Sequence, residues 1–461
     1  MRLPRLAFAS ALAIALALSA GPLLAQADLP IRDTVLANGL QVIAIESHAV
    51  PLVTVELDVK NGGFTQTPEY EGLAHLYEHM FFKANRAIPS QERYLQRLRQ
   101  LGAAWNGTTS EERVNYFVTV GVDSVRPALQ FMEDAVRYPL FQQEELVRER
   151  PVVTGEFDRA EANPYFQFQR GLDTLVWTAA YYSRKNVIGN REVILGTPQE
   201  KMRAIQRLYY VPNNSALIVA GDVTPARAFA MAAEVFGDWE RGADPFATPV
   251  PDPPPIAKTR AVVVEQPVQG ATLQLTWQGP SVGRDPAATY AADVLSAILA
   301  KRTSAFQKRL VESGLAMNAG VGYYTLNHVG PIGVFVQTTP EKLLEAERAT
   351  LEEIAKMSDS NYVSPRELED AQKELGIRAL YEREQATEWA HTVGFWWSVA
   401  GLDYYRGYVP NMQRVTRGDL ARYVNTYVTG KPYVVGAMLN PEDRKKIGLT
   451  PEQLLPKPVV P

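Results

Sequence analysis

The chain has no cysteine among its 461 residues. Disulfides, thiolate metal sites, cysteine nucleophiles and cysteine-linked lipids are therefore excluded, and any metal must be held by histidine and carboxylate. Histidine is itself scarce, with five residues in all. Neither sign of charge dominates: 47 Lys+Arg stand against 51 Asp+Glu, a formal net charge of -4, and no basic run interrupts the balance. A chain without such a field does not gather a polyanion, so no nucleic-acid partner is expected. Low-complexity tracts are missing too, and 46% of the residues are hydrophobic, which excludes disorder as the main state. Because single cores stop growing at roughly 250 to 300 residues, the length implies at least two domains.

The one long apolar run lies at the start, where Arg2 and Arg5 precede Leu6 to Ala20 and the pair Gly21 and Pro22 interrupts before Leu23, Leu24 and Ala25. An uncleaved anchor would need about 20 uninterrupted apolar residues, whereas small Ala25 suits a cleavage site. Residues 1–25 are read as a bacterial signal peptide. A periplasmic or secreted protein with no stable membrane insertion is expected, and the lack of cysteine does not contradict export from a chain with large cores.

Between Gly242 and Ala257 the sequence GADPFATPVPDPPPIA withholds the backbone donors that helices and sheets need, and reads as a semi-rigid connector. It divides residues 26–241 from 258–461. The flanks resemble each other. After the hairpin signal Asn38 and Gly39, Val53, Val55, Leu57 and Val59 alternate with Thr54, Glu56, Asp58 and Lys60, the period of a half-buried antiparallel strand. In the second half Ala271, Leu273, Leu275 and Trp277 alternate with Thr272, Gln274, Thr276 and Gln278. A helix is expected after each, over 72–82 and 287–300. The ends match as well: Tyr210, the apolar run 217–221 and Pro225 against Tyr427, 433–436 and Pro441. The expected fold class is α+β, with two homologous domains, each an antiparallel sheet covered by helices.

The segment GLAHLYEHMFF over 72–82 has no helix breaker. Residues at i, i+3 and i+4 share one side of a helix, so His75, Glu78 and His79 face one point. Two imidazoles so spaced grip a zinc ion, and the carboxylate reaches the water on it. The alternative is a pair of core histidines bonded to backbone or to Glu78. A catalytic zinc needs a third protein ligand, and the segment ERPVVTGE over 149–156 supplies Glu149 and Glu156, seven residues apart. They share a face if one helix runs through, although Pro151 puts a kink or a helix start between them. His48, His328 and His391 read as surface or hydrogen-bonded residues, and Trp396, Trp397, Tyr404 and Tyr405 as helix packing at domain or subunit contacts.

With its inverted H-x-x-E-H motif, the sequence resembles the zinc peptidase family of pitrilysin, insulin-degrading enzyme and mitochondrial processing peptidase, and among them the bacterial two-domain, zinc-carrying subunits. The 149–156 segment is similar to the family's E-R-x-x-V-x-x-E pattern, and NGTTSEERVNY over 106–116 to its N-A-x-T-x-x-x-x-T-x-Y edge-strand segment. The resemblance implies one zinc ion (Zn2+) per chain on His75, His79 and Glu156, with Glu149 as a supporting acidic residue and Glu78 as general base. It implies an endopeptidase that cleaves extended peptides or unfolded polypeptides through zinc-activated water, inside a chamber of which the two domains form half a clamshell. Asn106, Gly107 and Thr108 would bind the substrate backbone. Rival readings are a non-catalytic core or scaffold subunit, and a peptide-binding module of the same fold.

One departure bears on the partner. Complete two-domain members resemble S-S-R-L-F-Q-x-x-R-E-x-x-G-L-A-Y in the second half, whose Arg and Tyr hold the substrate and the developing oxyanion. Here AFQKRLVESGLAM over 305–317 puts Leu310 at the Arg and Met317 at the Tyr, and neither donates to an oxyanion. The expectation is a heterodimer with a homologous subunit that carries the pair. In the alternative, a homodimer, Arg309, Tyr323 or Tyr324 substitutes. The second half, with Asp293 on the helix equivalent to 72–82 and no histidine there, is expected to hold no metal.

Overall fold

A computed structural model of the protein describes residues 29–456; the expected signal peptide lies outside them. Asn38 and Gly39 turn the chain from β1 (Ile31–Val35) into β2 (Gln41–Glu46). Gly39 sits at φ 96°, a left-handed conformation that favours glycine, and its N–H donates to Leu36 O at 2.8 Å. With β3 (Leu52–Val59), β4 (Ala104–Thr109), β5 (Val114–Gly121) and β6 (Ser215–Gly221) these strands form a sheet in the order β1-β2-β6-β3-β5-β4. The second sheet joins β7 (Arg260–Glu265), β8 (Ala271–Gln278), β9 (Asn318–Tyr323), β10 (Pro331–Thr338) and β11 (Val434–Leu439) in the order β7-β11-β8-β10-β9. Without β1 the two sheets follow one path, strand for strand, so the duplication read in the sequence is a duplication of topology. Both are antiparallel apart from one pair each, β2 with β6 and β7 with β11. Those partners are joined by long connections, which parallel pairing requires. Residues 242–257 carry no helix or strand.

On one face of the first sheet Val53, Val55, Leu57 and Val59 pack with Leu73, Leu76 and Tyr77 from the helix Leu73–Phe81. The opposite face departs from the half-buried expectation: Thr54, Glu56 and Asp58 are buried as well. The helix Ala386–Val399, from the second half, lies on it, bringing Trp389, Val393 and Trp397 against Ile43, Ile45 and Ile218. In return the helix Pro164–Val176, from the first half, packs Phe168, Leu172 and Val176 against Val434 and Met438 of β11. Each half thus supplies a layer to the other.

Burying Glu56 and Asp58 requires partners. Glu56 accepts from Asn115 Nδ2 at 2.7 Å and from His391 Nδ1 at 2.5 Å, while Arg113 stands 3.7 Å from Glu56 and 3.5 Å from Asp58. Burial, and then the neighbouring Glu56, push the Asp58 carboxyl well above its ordinary range against the pull of Arg113. Asp58 also leaves no room for a Cβ at Gly394. The Trp397 indole N–H crosses to Gln41 Oε1 at 2.8 Å, between the halves, whereas Trp389 donates to Tyr405 OH at 2.7 Å and Trp396 stacks on Tyr404 within the second half.

Candidate active site

The helix Leu73–Phe81 starts at Gly72, whose φ of 90° and close approach to Gly189 exclude a side chain. Gln66 Oε1 accepts from the Gly72 N–H at 2.8 Å, satisfying a donor at the helix start. Leu73, Leu76, Tyr77, Met80 and Phe81 enter the core, which leaves His75, Glu78 and His79 on the side facing the helix Gln143–Glu161. That helix runs through Pro151 without ending. Glu149 and Glu156, two turns apart, therefore both reach the motif, and the face the sequence left open is continuous.

The Glu156 carboxylate stands 3.4 Å from His75 Nε2 and 3.5 Å from His79 Nε2. One ligand atom from each of the three lies within 4.8 Å of the others, and no other such group occurs among the described residues. Glu149 does not join this triangle. Its Oε1 accepts from His79 Nδ1 at 2.8 Å and its Oε2 meets Lys83 Nζ at 2.5 Å. A carboxylate on the far nitrogen of a ligating imidazole fixes the ring and its tautomer. Two imidazole nitrogens and one carboxylate oxygen, backed by an outer carboxylate, form a donor set that fits zinc.

Electrostatics agrees with that assignment at His75, while at His79 a metal would compete with a proton. Burial, reinforced by His79, lowers the His75 pKa to about 4, so the ring is neutral and available as a ligand near neutral pH. Burial also works against charge on His79, but its bond to Glu149 and the charges of Glu149, Glu156 and Glu78 outweigh it and raise the pKa. Glu78 is raised by burial and by Glu156, against a hydrogen bond from Thr109 and the attraction of His79. The Thr109 hydroxyl donates to Glu78 Oε2 at 2.7 Å.

Thr109 ends β4, which pairs only with β5 among the described residues and forms the edge of the sheet. Asn106 and Thr108 are exposed on it, while Gly107 is buried, and a Cβ there would stand 3.1 Å from Glu78 Cγ and from the Phe82 ring. Gly107 therefore acts beneath the general-base candidate, by letting the strand approach the helix, while Asn106 and Thr108 face outward. Lys83 and Thr109 escaped the sequence reading. Lys83, one turn beyond His79, and Thr109, inside the edge-strand segment, were both legible as positions but not as contacts.

In the second half Leu310 is fully buried in the core and Met317 is 63% exposed. Of the substitutes, Arg309 pairs with Glu352 at 3.3 Å and the Tyr323 hydroxyl donates to Pro280 O at 2.9 Å, whereas Tyr324 is partly exposed. On the helix Pro286–Leu299, Asp293 accepts from Tyr408 OH at 2.5 Å.

Two copies of one α+β topology, with a histidine–histidine–glutamate cluster that among the described residues occurs in the first alone, make up the layout of an inverted-motif zinc protease. Residues 41–185 match the family described as Insulinase (Peptidase family M16), and residues 198–375 match the Peptidase M16 inactive domain. The chain belongs to peptidase family M16. It is 24% identical over 371 residues to an uncharacterized zinc protease of Rickettsia felis, which covers 78% of this chain and 85% of that protein. The crystal structure of a protease from Helicobacter pylori shares the fold with a TM-score of 0.78 at 20% identity, covering 89% of this chain and 99% of that one. The first half of the periplasmic protease PqqL from Escherichia coli does so with a TM-score of 0.78 at 16% identity, over 93% of this chain and 95% of that one.

Proposed function

We propose that the chain is a zinc-dependent endopeptidase that cleaves extended peptides or unfolded polypeptides, with His75, His79 and Glu156 holding one zinc ion and Glu78 as general base. The single observation that carries the reading is the convergence of those three ligand groups, within 4.8 Å, beside the Glu78 carboxylate. Bound there, zinc would act as a Lewis acid on the scissile carbonyl and make water a better nucleophile near neutral pH. Glu78, steadied through Oε2 by Thr109, takes the proton of the attacking water as its oxygen bonds to the carbonyl carbon. It then delivers that proton to the amine nitrogen as the C–N bond breaks. The open edge of β4 accepts an extended peptide as a further strand, so that main-chain hydrogen bonds supply affinity with little demand on sequence.

Leu310 and Met317 supply no oxyanion donor, and of the substitutes Arg309 and Tyr323 are engaged elsewhere, which leaves the exposed Tyr324 and no Arg among them. This supports a heterodimer in which a homologous subunit brings the Arg and Tyr and closes the other half of a chamber. Residues 1–25 and the likeness to a periplasmic protease support a periplasmic or secreted location. No helix among the described residues is long and apolar enough to cross a membrane.

The test is Glu78→Gln beside wild type, with zinc counted by elemental analysis and cleavage of an unstructured peptide followed in the presence of the nearest paralogue. One zinc per chain in both proteins and turnover reduced at least about 10²-fold in the variant are expected. Near wild-type turnover by the zinc-loaded variant would remove Glu78 as the base, and a wild-type chain without stoichiometric zinc would remove the metal site.

A further inference from the structure

The turn between β4 and β5 is gripped from the opposite half of the molecule. Glu112, at its tip, is buried, and both carboxylate oxygens are used: Oε2 accepts from the Asn327 backbone N–H at 2.6 Å, and Oε1 from the His328 backbone N–H at 2.9 Å and from His328 Nδ1 at 2.8 Å. Asn327 and His328 belong to the loop between β9 and β10. Beside them the buried Lys185 ammonium bridges Glu111 Oε2, at 2.7 Å, and Val329 O, at 3.0 Å. Thr109, three residues before Glu112, holds Glu78.

This arrangement matters because β4 is an edge strand with a sheet partner on one side only. A carboxylate that accepts from two consecutive backbone N–H groups and an imidazole makes charge-assisted bonds stronger than those of the strand ladder. Its anchor point lies in the half that carries no zinc ligand. We infer that Glu112 is a positioning residue: by clasping the loop of the second half it fixes the placement of β4 and, through Thr109, the orientation of the Glu78 carboxylate. The second half thereby takes part in the first half's chemistry without touching substrate. The role of the clasp in turnover rests on the peptidase reading above; its hold on β4 does not.

The experiment compares Glu112→Gln, Thr109→Val and the double variant in the full chain, zinc-loaded and with its paralogue. Glu112→Gln places an amide N–H against a backbone donor, so the β4 amides should exchange with deuterium about tenfold faster or more. Zinc content should stay at the wild-type level, and kcat/KM should fall by about 10- to 100-fold, as displacement of a positioned group by about 1 Å does. Thr109→Val should lower kcat with KM little changed, and Thr109→Ser, which keeps the hydroxyl, should restore it. The double variant should lose less than the product of the single effects, because both act along one path. Unchanged exchange across 104–109 in Glu112→Gln would overturn the clasp even if the chain proved not to be a peptidase. Strictly multiplicative losses in an active enzyme would overturn the coupling to Glu78.

Discussion

Glu149 Oε1 lies 2.8 Å from His79 Nδ1, on the side of the ring turned away from Glu156. The bond makes Nδ1 the donor and leaves Nε2 as the basic nitrogen toward the metal position. Burial alone would raise the Glu149 carboxyl, but the bonds from His79 and Lys83 overrule it and hold the pKa below the ordinary range. Glu149→Gln should therefore weaken zinc binding by about 10- to 100-fold without removing a ligand. Competition with a chromogenic chelator measures this, and an unaltered zinc affinity would reduce Glu149 to a packing role.

Gly107 offers a second handle. A methyl at this position would press on Glu78 Cγ and the Phe82 ring at 3.1 Å, so Gly107→Ala should shift the strand or the base by a few tenths of an ångström. Turnover should fall by about tenfold or more while zinc stays bound. An alanine variant with wild-type kcat and KM would mean that the Phe82 ring yields instead.

The second core contains an acid without an ion-pair partner among the described residues. Glu347 is buried, its Oε1 has no hydrogen bond, and burial pushes its pKa up from 4.5 to about 8. The folded chain therefore keeps this proton at neutral pH, where the unfolded chain releases it. Between the two pKa values the folded state binds more protons, so stability declines as pH rises through that window and levels off above it. Glu347→Gln removes this slope. Urea unfolding should find the variant ahead of wild type at pH 8, by on the order of a few kcal/mol, and the gap closing as pH falls toward 4.5. Parallel pH dependences would contradict the assignment.

A partner that supplies an oxyanion donor should be visible in rates. The isolated chain should cleave an unstructured peptide about 10²- to 10³-fold more slowly than the mixture with its paralogue. Full activity of the chain alone, unaffected by the paralogue, would rule out the heterodimer.

Local periodicity was enough for the motif helix, because His75, Glu78 and His79 sit on one turn and the core-facing residues around them keep the helical period. The path of the long helix through Pro151 was not readable, since proline permits either a kink or a start. Alternation in β3 gave one core face correctly and misjudged the other: Glu56 and Asp58 look solvent-facing until a helix from residues 386–399 covers them. Thr109, Lys83 and Glu112 were invisible as contacts for the same reason, that their partners are distant in sequence. Of the remaining histidines, His328 and His391 are bonded to buried carboxylates, while His48 lies at the surface between Glu46 and Asp222.

The exchange of covering helices makes the two copies interdependent. A fragment cut at the proline-rich connector would leave one β-sheet face bare, in the first fragment with Glu56 stripped of His391 and in the second with β11 uncovered. Such fragments would be insoluble singly, yet complementary when mixed. In the whole chain the two copies should therefore melt together, in a single calorimetric transition. The duplication that created two units has, through swapped coverings, joined their cores across the boundary.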